Sequence, residues 1–149
     1  MSLSNAFEND LLLLLFNNTD IANVGDAAGL QNSVTAGSFY VSLHTADPGE
    51  TGTQATSETT YTGYARVAVA RSGAGWTVSG TAPTQVANAA TITFGTSTVG
   101  TPTITYFGVG LESSGATRLL ASGVLDNSQV INIGGVNTFA AGALVITVD

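Results

Sequence analysis

The chain has 149 residues, with no cysteine, no lysine, ten acidic residues and three arginines, which gives a net charge of −7 at pH 7. The absence of cysteine excludes disulfides and thiolate metal sites. So few cations also disfavour binding to nucleic acid or to an anionic membrane surface. Hydrophobic residues make up 44% of the chain and the mean hydropathy is +0.30, so we expect one folded domain and not a disordered segment.

The first predicted element is a short helix from about Ala6 to Phe16. Asn5, followed three positions later by Glu8, matches a capping box, and Asp10 adds negative charge near the helix N-terminus. The leucines are consecutive, so apolar side chains surround the helix and need burial in the core or at a subunit contact. The apolar run 11–16 follows acids and is far shorter than the ~20 residues of a membrane span, so neither a signal peptide nor a membrane helix is expected.

Residues 17–37 are rich in Asn, Asp, Gly, Ala and Ser, and we predict an ordered connecting arm. Its scattered apolar residues are Ile21, Val24, Leu30 and Val34. A loop of this length in a compact domain often has a function of its own. The arm is therefore either a contact with a neighbouring subunit or a loop held in place by these four apolar residues.

From Ser38 onward, apolar and polar residues alternate with the period of a half-buried strand. Phe39–Leu43 is a predicted strand that ends at the turn Asp47-Pro48-Gly49. Further strands are predicted near Tyr64–Ala70, Gly75–Val78, Gln85–Phe94, Thr103–Gly110, Thr117–Val124, Gln129–Ile133 and Ala143–Val148. No repeat of fixed period is visible.

This spacing of about 8 to 14 residues between strands is typical of a β-sandwich or jelly roll. We therefore predict a mainly β chain, an antiparallel β-sandwich or jelly-roll-like domain with a short N-terminal α-helix. Residues 1–149 would form this single domain, with residues 1–37 as helix and connecting arm and residues 38–149 as the sandwich.

Few residues are candidates for catalysis or for binding a metal ion. His44 lies near Asp47, and a His–Asp pair can orient an imidazole as a general base, but no motif marks a nucleophile, which favours a structural His. Asp47, Glu50 and Glu58 carry oxygen ligands suited to calcium, yet their spacing matches no known cation loop, which favours a solvated polar loop. The sequence therefore predicts no catalytic, cofactor-binding or metal-binding residue.

Aromatic residues and arginines are the remaining candidates for a binding role. Four aromatic residues could together form a flat surface on which a sugar stacks, but a role in the core or at a subunit contact is favoured. Each arginine is expected to find a carboxylate, mostly in surface ion pairs and in a minority of cases at subunit contacts. The aromatic group is Trp76, Tyr61, Tyr64 and Tyr106. The arginines are Arg66, Arg71 and Arg118.

Four segments of the chain form a recognisable set: FYVSLHTADPGETG (Phe39–Gly52), YTGYARVAVARSGAGWTVSG (Tyr61–Gly80), ITFGTSTVGTPTITYFGVG (Ile92–Gly110) and TFAAGALVITVD (Thr138–Asp149). Together they resemble a group of small tailed-phage proteins that are often labelled tail-fibre proteins. The most specific parts are LHTADPGE (Leu43–Glu50) and FAAGAL (Phe139–Leu144), and the resemblance extends over nearly the whole chain. It implies a structural role in the virion and an all-β fold, with no active site to carry over.

Within that family resemblance, we expect a non-enzymatic virion structural protein, assembled in the host cytoplasm. A capsid (head) decoration or cement protein that stabilises the capsid lattice is favoured, because the chain is short and lacks repeats. The alternative is a tail or tail-fibre-associated structural or adhesion protein. Expected partners are the major capsid protein, other virion proteins and further copies of the chain, with a trimer as one option; no cofactor, nucleic acid or membrane is expected. A glycan-active enzyme is a third interpretation, which rests only on acids such as Glu50 and Glu58.

Overall fold

The structure is a computed structural model that describes residues 3–80 and 84–148. Its described residues form one helix, α1 (Asn5–Asn17), and nine strands. The strands are β1 (Ser38–His44), β2 (Val67–Ala70), β3 (Trp76–Ser79), β4 (Thr84–Asn88), β5 (Ile92–Thr93), β6 (Thr103–Gly110), β7 (Leu119–Val130), β8 (Thr138–Phe139) and β9 (Val145–Val148). The prediction of a mainly β fold with an N-terminal helix and antiparallel sheets is confirmed. Over the described ranges, no helix has the length and apolar character needed to cross a membrane.

Two compact units can be distinguished within the chain. The first comprises the described residues of Met1–Ser38, Ala70–Thr91 and Phe139–Asp149, and the second comprises Phe39–Val69 and Ile92–Thr138. This division does not test the single domain predicted for residues 1–149, which stays a prediction.

In the first unit, α1 packs against β3 and β4. Ser4 is its N-cap, and the Oγ of Ser4 accepts a hydrogen bond from the backbone N–H of Phe7 at 3.4 Å. The predicted capping box with Asn5 as cap is therefore wrong, because Asn5 is already the first helical residue. The predicted burial is confirmed at Phe16, which is buried and meets Trp76 edge-on with ring centroids 4.9 Å apart.

The sheet of this unit has the strand order β3-β4-β9. The single strand predicted over Gln85–Phe94 is wrong, because β4 ends at Asn88. The buried Asn88 amide donates to the carbonyls of Ala90 and Ala140, each at 2.8 Å, and its Oδ1 accepts from the N–H of Leu144 at 2.9 Å. A side chain that bonds the backbone two residues on competes with the sheet ladder and turns the chain.

The connecting arm, residues 18–37, is irregular, as predicted, and contains a single β-bridge between Ile21 and Leu30. Of its four apolar residues only Ile21 is buried, whereas Val34 is fully exposed. Polar bonds hold the arm instead. Asn18, in the left-handed conformation with φ 55°, exchanges two side-chain hydrogen bonds with the backbone of Ser33 at 2.8 and 2.9 Å.

The second unit contains a four-stranded sheet with the order β2-β1-β6-β7. Strands β1 and β6 pair from Tyr40↔Gly110 to His44↔Tyr106, and the predicted strands Phe39–Leu43 and Thr103–Gly110 are confirmed. Apolar side chains of both strands are buried in the core of this unit. These buried residues are Val41, Leu43, Ile104, Phe107 and Val109.

Strand β7 is continuous over 12 residues, so the two separate strands predicted at Thr117–Val124 and Gln129–Ile133 are wrong. The ladder with β6 passes from Tyr106↔Val124 to Ile104↔Gln129 through a register shift. Residues 125–128 therefore form a bulge that interrupts the ladder without ending the strand.

Candidate functional site

His44, the only histidine, is fully buried at the end of β1. Its Nδ1 lies 2.8 Å from the carbonyl oxygen of Thr56, and its Nε2 lies 2.9 Å from Oγ of Ser42. Burial lowers the pKa of His44, and nearby Arg66 adds to this, while the bond to Thr56 and the charge of Glu58 oppose it. The ring is thus neutral, donating through Nδ1 and accepting at Nε2, so neither nitrogen is free for proton transfer.

Asp47 does not form a catalytic pair with His44. One carboxylate oxygen of Asp47 accepts from the backbone N–H of Gly49 at 2.8 Å, which stabilises the predicted turn. Both nitrogens of the His44 ring are bonded to other groups. The structural interpretation of His44 fits this geometry.

Arg66 and Glu58 form a bidentate ion pair inside the second unit. The guanidinium Nε and Nη2 lie 2.7 Å from the two carboxylate oxygens, and the side chains are only 3% and 14% exposed. The hydroxyl of Tyr64 donates to the same carboxylate at 2.8 Å. The hydrogen bond to Glu58 raises the pKa of Arg66, and burial raises the pKa of Tyr64. The expected carboxylate partner is confirmed for Arg66, but the pair is buried and not on the surface.

Gln54 connects this ion pair to β1, and sequence reasoning missed it. The Gln54 amide donates to the carbonyl of Tyr40 at 2.7 Å, and its Oε1 accepts from Nη1 of Arg66 at 3.2 Å. A neutral Gln in a Thr-rich loop carries no sequence signal of burial. We call this set the buried polar cluster: Ser42, His44, Gln54, Glu58, Tyr64 and Arg66.

The acids considered for calcium are not brought together. Over residues 3–80 and 84–148, no group of three or more His, Cys, Asp or Glu side chains is arranged to hold a metal ion. Glu58 is bound to Arg66, whereas Asp47 and Glu50 line a separate groove. The solvated polar loop is therefore the better description of Asp47 and Glu50, both of which are exposed.

The aromatic residues do not form an exposed sugar platform. Trp76 is fully buried in the first unit, where it contacts Phe16. In the second unit, Tyr61 lies 5.4 Å from Tyr64, and Tyr64 stacks on Phe94 at 6.2 Å. Tyr61 is also buried and its hydroxyl donates to the carbonyl of Gly95 at 2.9 Å, so these rings belong to the cores, as favoured.

The other two arginines have different surroundings. Arg71 donates to the carbonyls of Leu14 and Leu15 at the end of α1 and to that of Ala36 in the arm. It supplies the positive charge that the last turn of the helix lacks. Arg118 is exposed and immediately precedes β7.

Strand β7 is the last strand of the four-stranded sheet in the second unit. Exposed and half-buried residues alternate along it, and Leu120 and Val124 are 36% and 65% exposed. Beside it lies an open groove of about 610 Å³, lined by Asp47, Gly49, Glu50, Tyr106 and residues 119–124. Next to it, Arg118 forms an antiparallel β-bridge with Thr53, and the N–H of Gln54 donates to the carbonyl of Thr117 at 2.9 Å.

One comparison with known proteins gives a match. A family model described as "Podophage GP4 fiber I protein gp80" matches residues 2–147. No curated protein matches the chain. The matched range includes the buried polar cluster and strand β7. It also includes the four segments that resemble tailed-phage proteins, except for residues 148 and 149.

Proposed function

This chain belongs to the Podophage GP4 fiber I protein gp80 family, and from that membership we propose that it is a structural component of a phage tail fibre. The observation that carries the proposal is the match over residues 2–147. The family description names a fibre protein, so it favours the tail-fibre alternative of the sequence analysis over capsid decoration. The protein is thus a virion structural protein. Its location in the tail fibre is our proposal.

We also propose that the protein has no enzymatic activity. The arrangement of the polar groups supports this, since His44 is buried with both nitrogens bonded and Glu58 is neutralised by Arg66. Such a cluster stabilises a loop and leaves no general base or nucleophile facing solvent. The exposed acids Asp47 and Glu50 line the groove beside β7, and neither belongs to the buried polar cluster.

The proposed partners are other virion proteins of the tail and further copies of the same chain. Exposed apolar residues on the second unit, such as Val99, Ile133 and Val136, provide contact area that costs little to desolvate. A partnership with the major capsid protein belonged to the head-decoration hypothesis and is not proposed.

Immunogold labelling of purified particles tests the location. Antibody raised against the protein should mark the tail in electron micrographs, and it should reduce adsorption to host cells if the fibre contacts the receptor. Gold on the head alone would overturn the tail-fibre proposal. An antibody against the major capsid protein, applied to the same particles, provides the positional control.

The absence of enzymatic activity is tested separately. Incubation of purified protein with polysaccharide from the host surface should release no reducing ends. Hydrolysis that is abolished by Glu50→Gln or Glu58→Gln would contradict the proposal. Asp10→Asn, at an exposed acid on α1, is the control for nonspecific effects of removing a charge.

A further inference from the structure

We propose that the loop after β1 is a strap that mild acid releases from the sheet of the second unit, with protonation of His44 as the trigger. We call residues 45–59 the strap. The released state differs from the unfolded chain, because β1 and β6 stay paired in it. This inference goes beyond the proposed tail-fibre role and does not depend on where the protein lies in the particle.

The strap leaves β1, reaches the start of β7 and returns to β1. The N–H of Gln54 donates to the carbonyl of Thr117 at 2.9 Å, and the N–H of Thr59 donates to the carbonyl of Leu43 in β1 at 2.9 Å. Between these two bonds, the Gln54 amide donates to the carbonyl of Tyr40 in β1 at 2.7 Å. The strap is therefore fixed to the sheet at both sides of β6.

Two glycines of β6 provide the space for the side chains beneath the strap. A Cβ at Gly108 would lie 2.6 Å from Nε2 of His44 and 2.7 Å from Oγ of Ser42. A Cβ at Gly110 would overlap the side-chain amide of Gln54. The glycines thus leave a hollow that three polar side chains of the buried polar cluster fill.

Polar bonds hold the strap, with little help from apolar burial. Of its apolar side chains, Pro48 is buried, whereas Ala46 and Ala55 are exposed. Burial of apolar surface would hold the strap at any pH, because it does not involve a proton. Hydrogen bonds to an imidazole do depend on its protonation state.

The bonds of His44 fit the neutral ring. The carbonyl of Thr56 only accepts, so Nδ1 carries the proton and Nε2 accepts from the hydroxyl of Ser42. A second proton, on Nε2, would reverse the bond to Ser42 and leave the hydroxyl proton of Ser42 without its acceptor. The nitrogen of Gln54, 3.4 Å from the same Oγ, would then compete with His44 for it. An unmade hydrogen bond is costly in a buried cluster.

The charged and titratable groups around His44 also disfavour the second proton. Glu58 forms a β-bridge with His44, but both of its carboxylate oxygens are bonded to Arg66, which repels a further cation. Tyr64, bonded to Glu58, is neutral because burial raises its pKa. On β6, the register partner of His44 is Tyr106. The strap also carries two exposed acids, Asp47 and Glu50.

Release of the strap removes this conflict. It separates His44 from the carbonyl of Thr56 and admits water to the ring, so the pKa of His44 returns towards its unperturbed value of about 6.5. The released state therefore binds the proton more readily than the closed state, and acid favours release. The pairing of β1 with β6, from Tyr40↔Gly110 to His44↔Tyr106, does not include the strap.

Hydrogen exchange of single amides, followed by NMR, tests the release. The amides of Thr45, Gln54 and Thr59 report on the strap, because each donates to a backbone carbonyl in the closed state. After correction for the intrinsic exchange rate, their protection should fall by up to about tenfold between about pH 7.5 and 5.5. At each pH it should stay below the protection of amides in the β1–β6 ladder.

His44→Asn keeps a donor for Thr56 but cannot gain a proton, so the protection of its strap should change by less than about twofold over this range. Glu50→Gln, at an exposed acid of the strap, is the matched control and should keep the full response. Strap amides that exchange only as fast as the β1–β6 ladder would overturn the proposal. So would a His44→Asn strap that responds to pH like the wild type.

A reversible clamp provides an independent test, because the chain has no native cysteine. Thr53 and Arg118 are partners in an antiparallel β-bridge, where Cα atoms lie about 4.5–5.5 Å apart, which permits a disulfide. Oxidised Thr53→Cys/Arg118→Cys should lose most of the pH response at Gln54, and reduction should restore it.

An equal response in the oxidised and reduced forms, both shown to be folded by circular dichroism, would contradict the proposal. These measurements use the isolated chain and leave the immunogold outcome unaffected. The failure of this inference and the failure of the tail-fibre proposal can therefore be told apart.

Discussion

At the scale of single residues, Arg66 connects two loops of the second unit. Besides its ion pair with Glu58, its guanidinium donates to the carbonyls of Glu112 and Gly115 in the loop that joins β6 to β7. A buried ion pair adds little net stability, because desolvation offsets the Coulomb attraction. Its effect is to fix the loops at residues 54–58 and 112–115 in one arrangement.

Removal of one partner of this pair is expected to be costly. Arg66→Met should lower the free energy of unfolding by about 3–5 kcal/mol, because it leaves the Glu58 carboxylate buried without a counter-charge. Urea denaturation at pH 7 measures the change. The double variant Arg66→Met/Glu58→Gln should lose less than the sum of the two single losses, since the residues interact directly.

Arg118→Met is the matched control, because Arg118 is exposed and its loss should change the free energy of unfolding by no more than about 0.5 kcal/mol. Equal losses at Arg66 and Arg118, or strict additivity in the double variant, would contradict the role assigned to the pair.

The pKa of His44 gives a prediction for the dependence of stability on pH. Because burial lowers the pKa of His44 below its unfolded value of about 6.5, the unfolded chain binds this proton more readily than the folded chain. Stability should therefore be greatest above about pH 6.5 and fall as the pH drops, by up to about 1.4 kcal/mol per pH unit, until the folded pKa is reached.

The comparison of wild type with His44→Asn between about pH 7.5 and 5 isolates this contribution. Asn retains a donor that can reach the carbonyl of Thr56 but has no proton to gain. The difference in free energy of unfolding between the two proteins should shrink or change sign as the pH falls. Two parallel pH profiles would show that His44 does not cause the loss.

Individual side chains of the cluster were only partly predictable. The scarcity of cations correctly led to the expectation of a carboxylate partner for Arg66. Its burial could not be predicted, because the pair depends on a loop that folds back over β1. Gln54 gave no signal, since a Gln in a Thr-rich segment looks the same whether it contacts water or a buried guanidinium.

At the scale of elements, the close approach of β6 and β7 depends on glycine. A Cβ at Gly123 would lie 2.7 Å from Cε1 of Phe107, which is buried in the core of the second unit. Real Cβ atoms do not approach other atoms so closely, so either the ring or β7 would have to move.

Gly123→Ala should therefore lower the free energy of unfolding by about 1–3 kcal/mol through overpacking. Gly73→Ala is the matched control, because the nearest atom to its Cβ would be Nδ2 of Asn17 at 4.0 Å, and it should be neutral or slightly stabilising. Thermal and urea unfolding measure both changes. A neutral Gly123→Ala would indicate that the ring of Phe107 has space to move.

Strand boundaries were predictable where the local pattern was sufficient. Strand β6 has the predicted bounds because its alternation of apolar residues matches the pairing on both of its sides. The break after Asn88 depends on bonds from its amide to Ala140 and Leu144, which are distant in sequence. The continuity of β7 likewise arises from pairing with β6, which resumes at Gln129 after the unpaired residues 125–128, of which three are polar.

At the scale of the whole molecule, the charge imbalance is the dominant electrostatic feature. The chain has ten acidic residues and three arginines, and the charge of Arg66 is neutralised by Glu58 inside the fold. The exposed surface is therefore strongly acidic. Such a surface keeps copies of the chain apart at long range and disfavours adhesion to packaged DNA.

Mutual repulsion among exposed acids should make the stability of the chain depend on salt. Raising NaCl from about 10 mM to about 200 mM shortens the screening length from roughly 25–30 Å to below 10 Å, so the Tm should rise. Neutralising three exposed acids with Asp10→Asn, Glu50→Gln and Glu112→Gln changes the net charge from −7 to −7 + 3 = −4 and should reduce the salt-induced rise. The buried Arg66–Glu58 pair is screened little in either protein. A Tm that falls with salt in the wild type would mean that exposed ion pairs, and not repulsion, dominate the electrostatics of the fold.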